Sequence, residues 1–326
     1  MNAWEGIVSY AIFFLINAGI YAVFTLGLNV QWGYTGLFNV GIAGFSMIGA
    51  YTSALLTTPA SDRHLGGLGL PIPFGIAGAA LAAGLLALLI GWITLRLRDD
   101  YLAIATLGIA EVLRLVIKNE GWFGGGVQGI SDIPRPLQGL FDAHYNAIFL
   151  IVLLGLIALL YWAVEQAIRS PWGRVLRAIR EDEIATAAAG KDTVRFRMEA
   201  LVFGACLMGI GGALYAHFIG YLSPDAFEPM NATFLVWAML IVGGSGNNRG
   251  ALLGALVVWA IWSLTEFFTD FLPAAIGTQA AAVRIVLIGL LLIIMLIWRP
   301  QGLLGEERQV SRWVAERLQR DRAHEG

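Results

Sequence analysis

Long apolar runs separated by short polar stretches organise this chain from end to end. Nine of them read as membrane-spanning helices: Ser9–Val30, Leu37–Leu56, Leu70–Leu95, Tyr101–Ile117, Ala147–Ile168, Met198–Leu222, Thr233–Gly243, Gly250–Phe268 and Val283–Trp298. About 20 apolar residues rising 1.5 Å each cross a hydrocarbon core of ~30 Å. The second run is rich in glycine and the seventh is short, while the third is long enough to tilt or to contain a break. The pattern predicts an all-α, polytopic membrane helix bundle. It places residues 1–304 in a transmembrane domain and leaves 305–326 as a tail, where Val310, Trp313, Val314 and Leu318 predict an amphipathic helix.

One stretch breaks the apolar rhythm. Residues 169–197 carry seven Lys and Arg between two long apolar runs. Ser170 before Pro171 is a helix start, with a capping side chain and a proline whose missing N–H is not needed at the first position. Val175 and Ile179 predict an apolar stripe on that helix. Asp182 is a good cap for a second, short helix over Glu183–Ala189, and Gly190 can end it in the left-handed conformation. Alanines at 185, 187, 188 and 189 leave that helix slim enough for a partner's groove. It is too short to be stable alone in water, so something must pack on it. An ordinary loop with orientation-setting arginines is the competing reading; capping at both ends favours docking.

Charge then orients the chain. Lys and Arg gather on the cytoplasmic side. With the basic stretch inside, nine spans put the N-terminus outside and the C-terminus inside, and sixteen of the 21 Lys and Arg fall in interior segments. Composition agrees: 58% hydrophobic, 13% charged and mean hydropathy +0.71, against about 25% charged in soluble domains. The net charge of −2 carries no partner signal. The lone cysteine, Cys206, has no intramolecular partner and reads as a small buried hydrophobe. Met1–Gly6 lacks a positive leader region, so the first run is expected to be retained.

Enzymatic motifs are missing. There is no Gly-x-x-x-x-Gly-Lys-Ser/Thr phosphate loop and no His-Glu-x-x-His, and the four histidines are scattered. Gly124-x-Gly126-x-x-Gly129 matches the dinucleotide fingerprint by letters alone, with no strand or crossover helix around it. That loop reads either as a re-entrant or gating element facing outward or as a plain connection. No catalytic residue, metal site or cofactor of this chain's own is expected.

Polar groups inside spans are costly in lipid and usually face a cavity or another helix. Thr106, Glu111 and Arg114 lie on one span, and Glu111 and Arg114, three apart, can pair. The pair lies either at a translocation path or a subunit interface, or forms a structural contact near the membrane edge, and Thr106 is a candidate for the path. Gly36, Asn39, Gly41 and Ser46 lie in the glycine-rich run. A broken helix there would expose backbone groups to the ends of a zwitterion. Close helix packing through small residues is the alternative.

Several segments carry a family resemblance. Arg169 to Ala185 resembles the cytoplasmic loop of LivM-type permeases of ABC importers for branched-chain and related amino acids. Trp32–Gly41, Leu97–Gly108, Gly212–His217 and Arg299–Leu303 also resemble that family. The likeness implies a coupling helix entering an ATPase cleft, with Glu183, Ile184, Ala185 and Gly190 at the contact and Arg177 and Arg180 flanking it. The general importer signature places glycine six positions after its glutamate, whereas here the spacing is seven, and Asn247–Arg249 fills a glycine-rich turn unusually.

By that resemblance the chain is an inner-membrane permease, not an enzyme. It would pair with a LivH-type permease, two ATPase subunits that hold ATP-Mg, and a periplasmic binding protein. The cargo would be a branched-chain or other neutral amino acid, with urea or amides as alternatives. A secondary carrier or channel would instead need ionisable groups deep in a span. A scaffold subunit whose partner forms the path is the third reading.

Overall fold

Backbone polar groups have no water to bond in hydrocarbon, so an apolar chain of this length satisfies them within helices. The computed structural model of the chain describes residues 3–60, 65–97, 99–136, 145–269 and 277–306. It is built from helices α1 (Ala3–Leu28), α2 (Ile42–Thr57), α3 (Ile72–Thr94), α4 (Asp99–Asn119), α5 (Gly121–Gly124), α6 (Tyr145–Arg169), α7 (Pro171–Glu181), α8 (Glu183–Ala188), α9 (Thr193–Ile219), α10 (Leu235–Gly243), α11 (Asn248–Thr269) and α12 (Gly277–Trp298). Among the described residues the sole strand-like pairing is an isolated bridge between Ile130 and Leu222. Among the described residues, four helical stretches are long and apolar enough to cross a bilayer: Trp4–Gly33, Ile72–Thr94, Tyr145–Arg169 and Thr193–Ile219. Ile42–Thr57, Met230–Gly243 and Val283–Trp298 are apolar but shorter. The predicted tail helix lies outside the described residues.

Three of the nine runs differ in form from the expectation. The first continues past α1 as a π-helical turn, Asn29–Gly33, and then stops. Gly36, at φ +77°, turns the chain, and Leu37–Gly41 are not helical. The run expected as a helix over Leu37–Leu56 is therefore helical only from Ile42. The cause is local: Oδ1 of Asn39 accepts from the Gly41 amide at 2.8 Å, a side-chain turn that competes with the helix ladder. The seventh run begins with a second π-helical turn, Met230–Phe234, before α10.

Helix α9 is the hub, packed against α1, α2 and α3. Glycine sets that closeness. A Cβ at Gly49 would collide with the backbone of Gly209, and one at Gly212 with the Ser46 carbonyl. Small residues let backbones approach where lipid supplies no hydrophobic drive between helices. Cys206 is half-buried at the α3–α9 contact, beside Gly84. On the far side α1 packs on α6 and α11, and α11 on α10 and α12. Helix α6 buries one stripe, Tyr145, Phe149, Leu153, Ile157, Leu160, Val164 and Ile168, and leaves its other faces open. That is the pattern of a peripheral helix facing lipid or another subunit.

The glycine-rich loop after α4 packs back on the bundle. Ile130 exchanges both backbone hydrogen bonds with Leu222 at 2.9 Å, and Ile130 and Ile133 are buried. Gly125, Gly126 and Gly129 adopt positive φ in short turns, with no strand leading into them. The dinucleotide reading is thereby excluded by geometry as well as by context.

Candidate functional site

The basic stretch folds as two capped helices. The Ser170 hydroxyl accepts from the Trp172 amide at 3.2 Å, and Oδ1 of Asp182 accepts from the Ala185 amide at 2.9 Å. Helix α8 ends as its composition predicts. Gly190 adopts φ +81°, its amide donates to Ala187, and the Lys191 amide donates to Thr186. Those two bonds form a Schellman motif. The apolar stripe of α7 differs from the expectation. Gly173, Leu176 and Ile179 are buried, while Val175 is half-buried and faces an open groove between α7 and α8. Leu176 sits inside the main core cluster, and one side of a helix cannot bury both Leu176 and Val175 equally.

Exposure separates the six residues expected at a partner contact. Ile184 is 83% exposed, and Ala185 is also exposed with Ala187, Ala188 and Ala189 around it. Gly190 is exposed at the helix end. The others are turned to the bundle. Glu183 accepts from Nη1 of Arg197 at 2.8 Å, and Arg197 is buried at the start of α9. Nη2 of Arg177 donates to the Ile168 carbonyl at 2.8 Å, and its guanidinium lies over the Tyr34 ring. Arg180 donates to the Gly33 carbonyl and, through Nη2, to Glu306 at 2.8 Å and Glu181 at 2.9 Å. A two-helix element thus shows a smooth apolar tip and is held from behind by charged side chains. Trp172 adds a further brace, donating to Glu199 at 2.9 Å.

Those ties lead to the irregular segment after α1. Gln31 is fully buried, donates to the Leu201 carbonyl at 2.8 Å and accepts from Nδ2 of Asn39 at 2.7 Å. The Val40 amide donates to Thr106 at 3.0 Å, and the Ala43 amide donates to Thr233 at 3.1 Å. Trp237 Nε1 donates to the Asn39 carbonyl at 3.1 Å. Side chains from the π-helical turn after α1, from α4, from the turn before α10 and from α10 itself thus converge on the break. Of the predicted path residues, Asn39, Gly41 and Thr106 come together there, and a Cβ on Gly41 would press on the Thr106 carbonyl. Gly36 lies under Arg180 instead. Ser46 bonds within its own helix, to Ile42 at 2.9 Å. The glycine-rich run divides between two forms: the helix is broken at 34–41 and closely packed at 44–49.

Glu111 and Arg114 do not join this group. Arg114 grips Glu111 with two bonds of 2.9 and 2.6 Å and reaches Asp225 at 3.1 Å. Lys118 reaches the same Asp225 oxygen at 2.7 Å. The Lys118 hydrogen bond, with the two nearby positive charges, holds the Asp225 carboxyl below its ordinary value. This cluster fastens the end of α4 to the Pro224–Phe227 turn, which is the structural-contact alternative.

A second buried network starts from the same π-helical turn. Asn29 donates to Asn248 at 2.9 Å and accepts from the Gly246 amide at 2.9 Å. Asn248 donates to Glu165 at 2.8 Å, and Glu165 is paired with Arg169. Asn247 caps α11 through the Arg249 amide and donates to the Gly305 carbonyl at 3.0 Å. The unusual Asn247–Asn248 filling therefore ties three helices and the 299–305 segment together. The rule that flagged Thr106 flags Asn29 and Gln31 as well, since both are polar within an apolar run.

Comparison with known proteins agrees with this architecture. The family described as branched-chain amino acid transport system / permease component matches residues 10–296. The chain is 35% identical over 312 residues to the high-affinity branched-chain amino acid transport system permease protein LivM of Escherichia coli (strain K12), covering 89% of this chain and 68% of the relative. It is 27% identical to the probable branched-chain amino acid transport permease protein LivM of Methanocaldococcus jannaschii, over 90% of this chain and 92% of that protein. A guanosine ABC transporter permease protein of Bacillus subtilis is 26% identical over 68% of the chain. No solved structure is significantly similar. A match over nearly the whole apolar bundle, with the capped loop inside it, makes this chain a member of the branched-chain amino acid permease family, a multi-pass LivM-type permease subunit of an ABC importer.

Proposed function

We propose that the chain crosses the inner membrane nine times, with its N-terminus periplasmic and its C-terminus cytoplasmic, and moves branched-chain or other neutral amino acids by alternating access. It pairs with a LivH-type permease. Two ATPase subunits supply ATP-Mg chemistry, and a periplasmic binding protein delivers the cargo. The observation that carries this reading is α8: a helix capped at both ends whose Ile184 and alanines face away from the bundle. An 83% exposed isoleucine among exposed alanines gives α8 a smooth apolar tip of the kind that fits a partner's groove. The break at 34–41 supports a path at that level, because irregular backbone within a membrane is tolerated where it is buried in protein or lines a cavity. In this state the amides of Val40, Gly41 and Ala43 are occupied by side chains, so substrate contact requires the second state. A secondary carrier is disfavoured, because the Glu111–Arg114 pair is neutralised at one edge and away from the break.

Purification of the tagged importer in mild detergent, with mass spectrometry of the bound subunits, tests this reading. The second permease and the ATPase should co-purify. Ile184→Asp should remove the ATPase and leave the permease pair intact. Absence of an ATPase, together with ATP-independent leucine movement by the reconstituted chain, would replace the importer with a carrier.

A further inference from the structure

Arg180 stands where the coupling element meets the broken first span. It lies on α7, two residues before the cap of α8, and is half-buried against the bundle. One nitrogen of its guanidinium donates to the Gly33 carbonyl, the last residue of the π-helical turn. The other holds Glu306 on the segment that follows α12. Its aliphatic stem covers Gly36, whose positive φ redirects the chain, so that any side chain there would press on Arg180 Cγ at 3.2 Å. From Gly33 the chain enters Tyr34–Gly41 directly, and Gln31, two residues back, holds Asn39.

A second tie runs in parallel. Glu183 on α8 pairs with Arg197 at the start of α9, and Leu201, four residues on, accepts from Gln31. Both routes from the coupling helix therefore end within two residues of each other, at Gly33 and Gln31, in the π-helical turn that leads into the break. Helices α7 and α8 are thus joined to the segment, most directly through Arg180 on Gly33 and Gly36.

We propose that Arg180 is a positioning residue that transmits movement of the α7–α8 element to the Tyr34–Gly41 segment, and so couples ATP hydrolysis to opening of the path. The inference rests on the importer reading above. Arginine suits the task because its planar fork can hold a carbonyl and a carboxylate at once, which an ammonium on a single stem does not reproduce. Its partner Glu306 keeps the fork oriented. A π-turn with a non-helical continuation is a place where a small displacement changes hydrogen-bond partners instead of being absorbed elastically.

The test uses the complete importer in proteoliposomes with its binding protein, reading labelled leucine uptake and ATP hydrolysis together. Arg180→Lys keeps the charge and should preserve assembly. It should leave hydrolysis near the wild-type rate while uptake per ATP falls about tenfold, within the usual range of coupling between sites. Glu306→Gln should give the same direction with a smaller fall. A merely structural role predicts uptake and hydrolysis declining in parallel, and a constant ratio in both variants would overturn the inference. Failure of both variants to assemble would also overturn it, by making Arg180 a fold residue. Wild-type complex without ATP-driven uptake would instead overturn the importer reading, and this inference with it.

Discussion

Single residues show where this sequence could and could not be read. Ser170, Asp182 and Gly190 were legible because capping depends on a few neighbours: each takes its role from bonds within five residues. Arg177, Arg180 and Glu183 were legible only as charges. What they bond, Ile168, Gly33 and Arg197, is set by how α7 and α8 lie against α1, α6 and α9. Glycines behave in the same divided way. Gly212 faces the Ser46 carbonyl so closely that Gly212→Ala must push α2 from α9, which should cost about 1–3 kcal/mol and lower the melting temperature in detergent. Gly155, on an open face of α6, meets nothing within 4 Å. Gly155→Ala should leave stability unchanged or raise it by up to about 1 kcal/mol. Equal effects of the two substitutions would refute the packing account.

Elements depend on both local chemistry and tertiary support. Helix α8 has only six residues, and isolated helices of that length do not persist in water. Its cap is therefore a large part of its local stability. Asp182→Ala should destabilise α8 by about 1 kcal/mol, seen as faster hydrogen exchange of the Ala185–Ala188 amides with α7 unchanged. Unchanged exchange at α8 would show that packing alone holds it. Helix α4 offers a pH-dependent counterpart. Asp225 titrates below its ordinary value of 3.8 because Lys118 and Arg114 favour its ionised form. A depressed folded-state value contributes stability that is present above the ordinary value and lost as pH falls through the folded one. The stability difference between wild type and Asp225→Asn should therefore be seen near neutral pH and shrink in acid below that value. A difference that grew in acid would contradict the ion-pair assignment. Glu111, Arg114 and Thr106 share one helix in the sequence, yet the fold sends Thr106 to the break and the ion pair to the far turn. Spacing places residues on a helix; it does not say which neighbour each will meet.

At the scale of the molecule, charge placement and helix packing answer different questions. Orientation follows from the positive-inside rule, so it is testable without any structure. In a Cys206→Ala background, without the ATPase, Gln128→Cys should react with an impermeant maleimide in intact cells. Ala187→Cys, on exposed α8, should react only after permeabilisation. The reverse pattern would invert the topology. The all-helical bundle, its apolar runs and the two capped helices of the basic stretch were determined by the sequence alone, because hydropathy and capping act over a few residues to one span. The break after Gly33 was foreseen only as one of two options, since glycine permits a turn without requiring it. Tertiary structure decided the rest: which buried polar groups meet at Asn39, which residues of the basic stretch face outward, and how Asn248 and Arg180 bind distant segments together. Many of those outcomes depend on pairings between distant elements, 83 positions apart for Asn248 and Glu165 and 126 for Arg180 and Glu306, and no local periodicity encodes them.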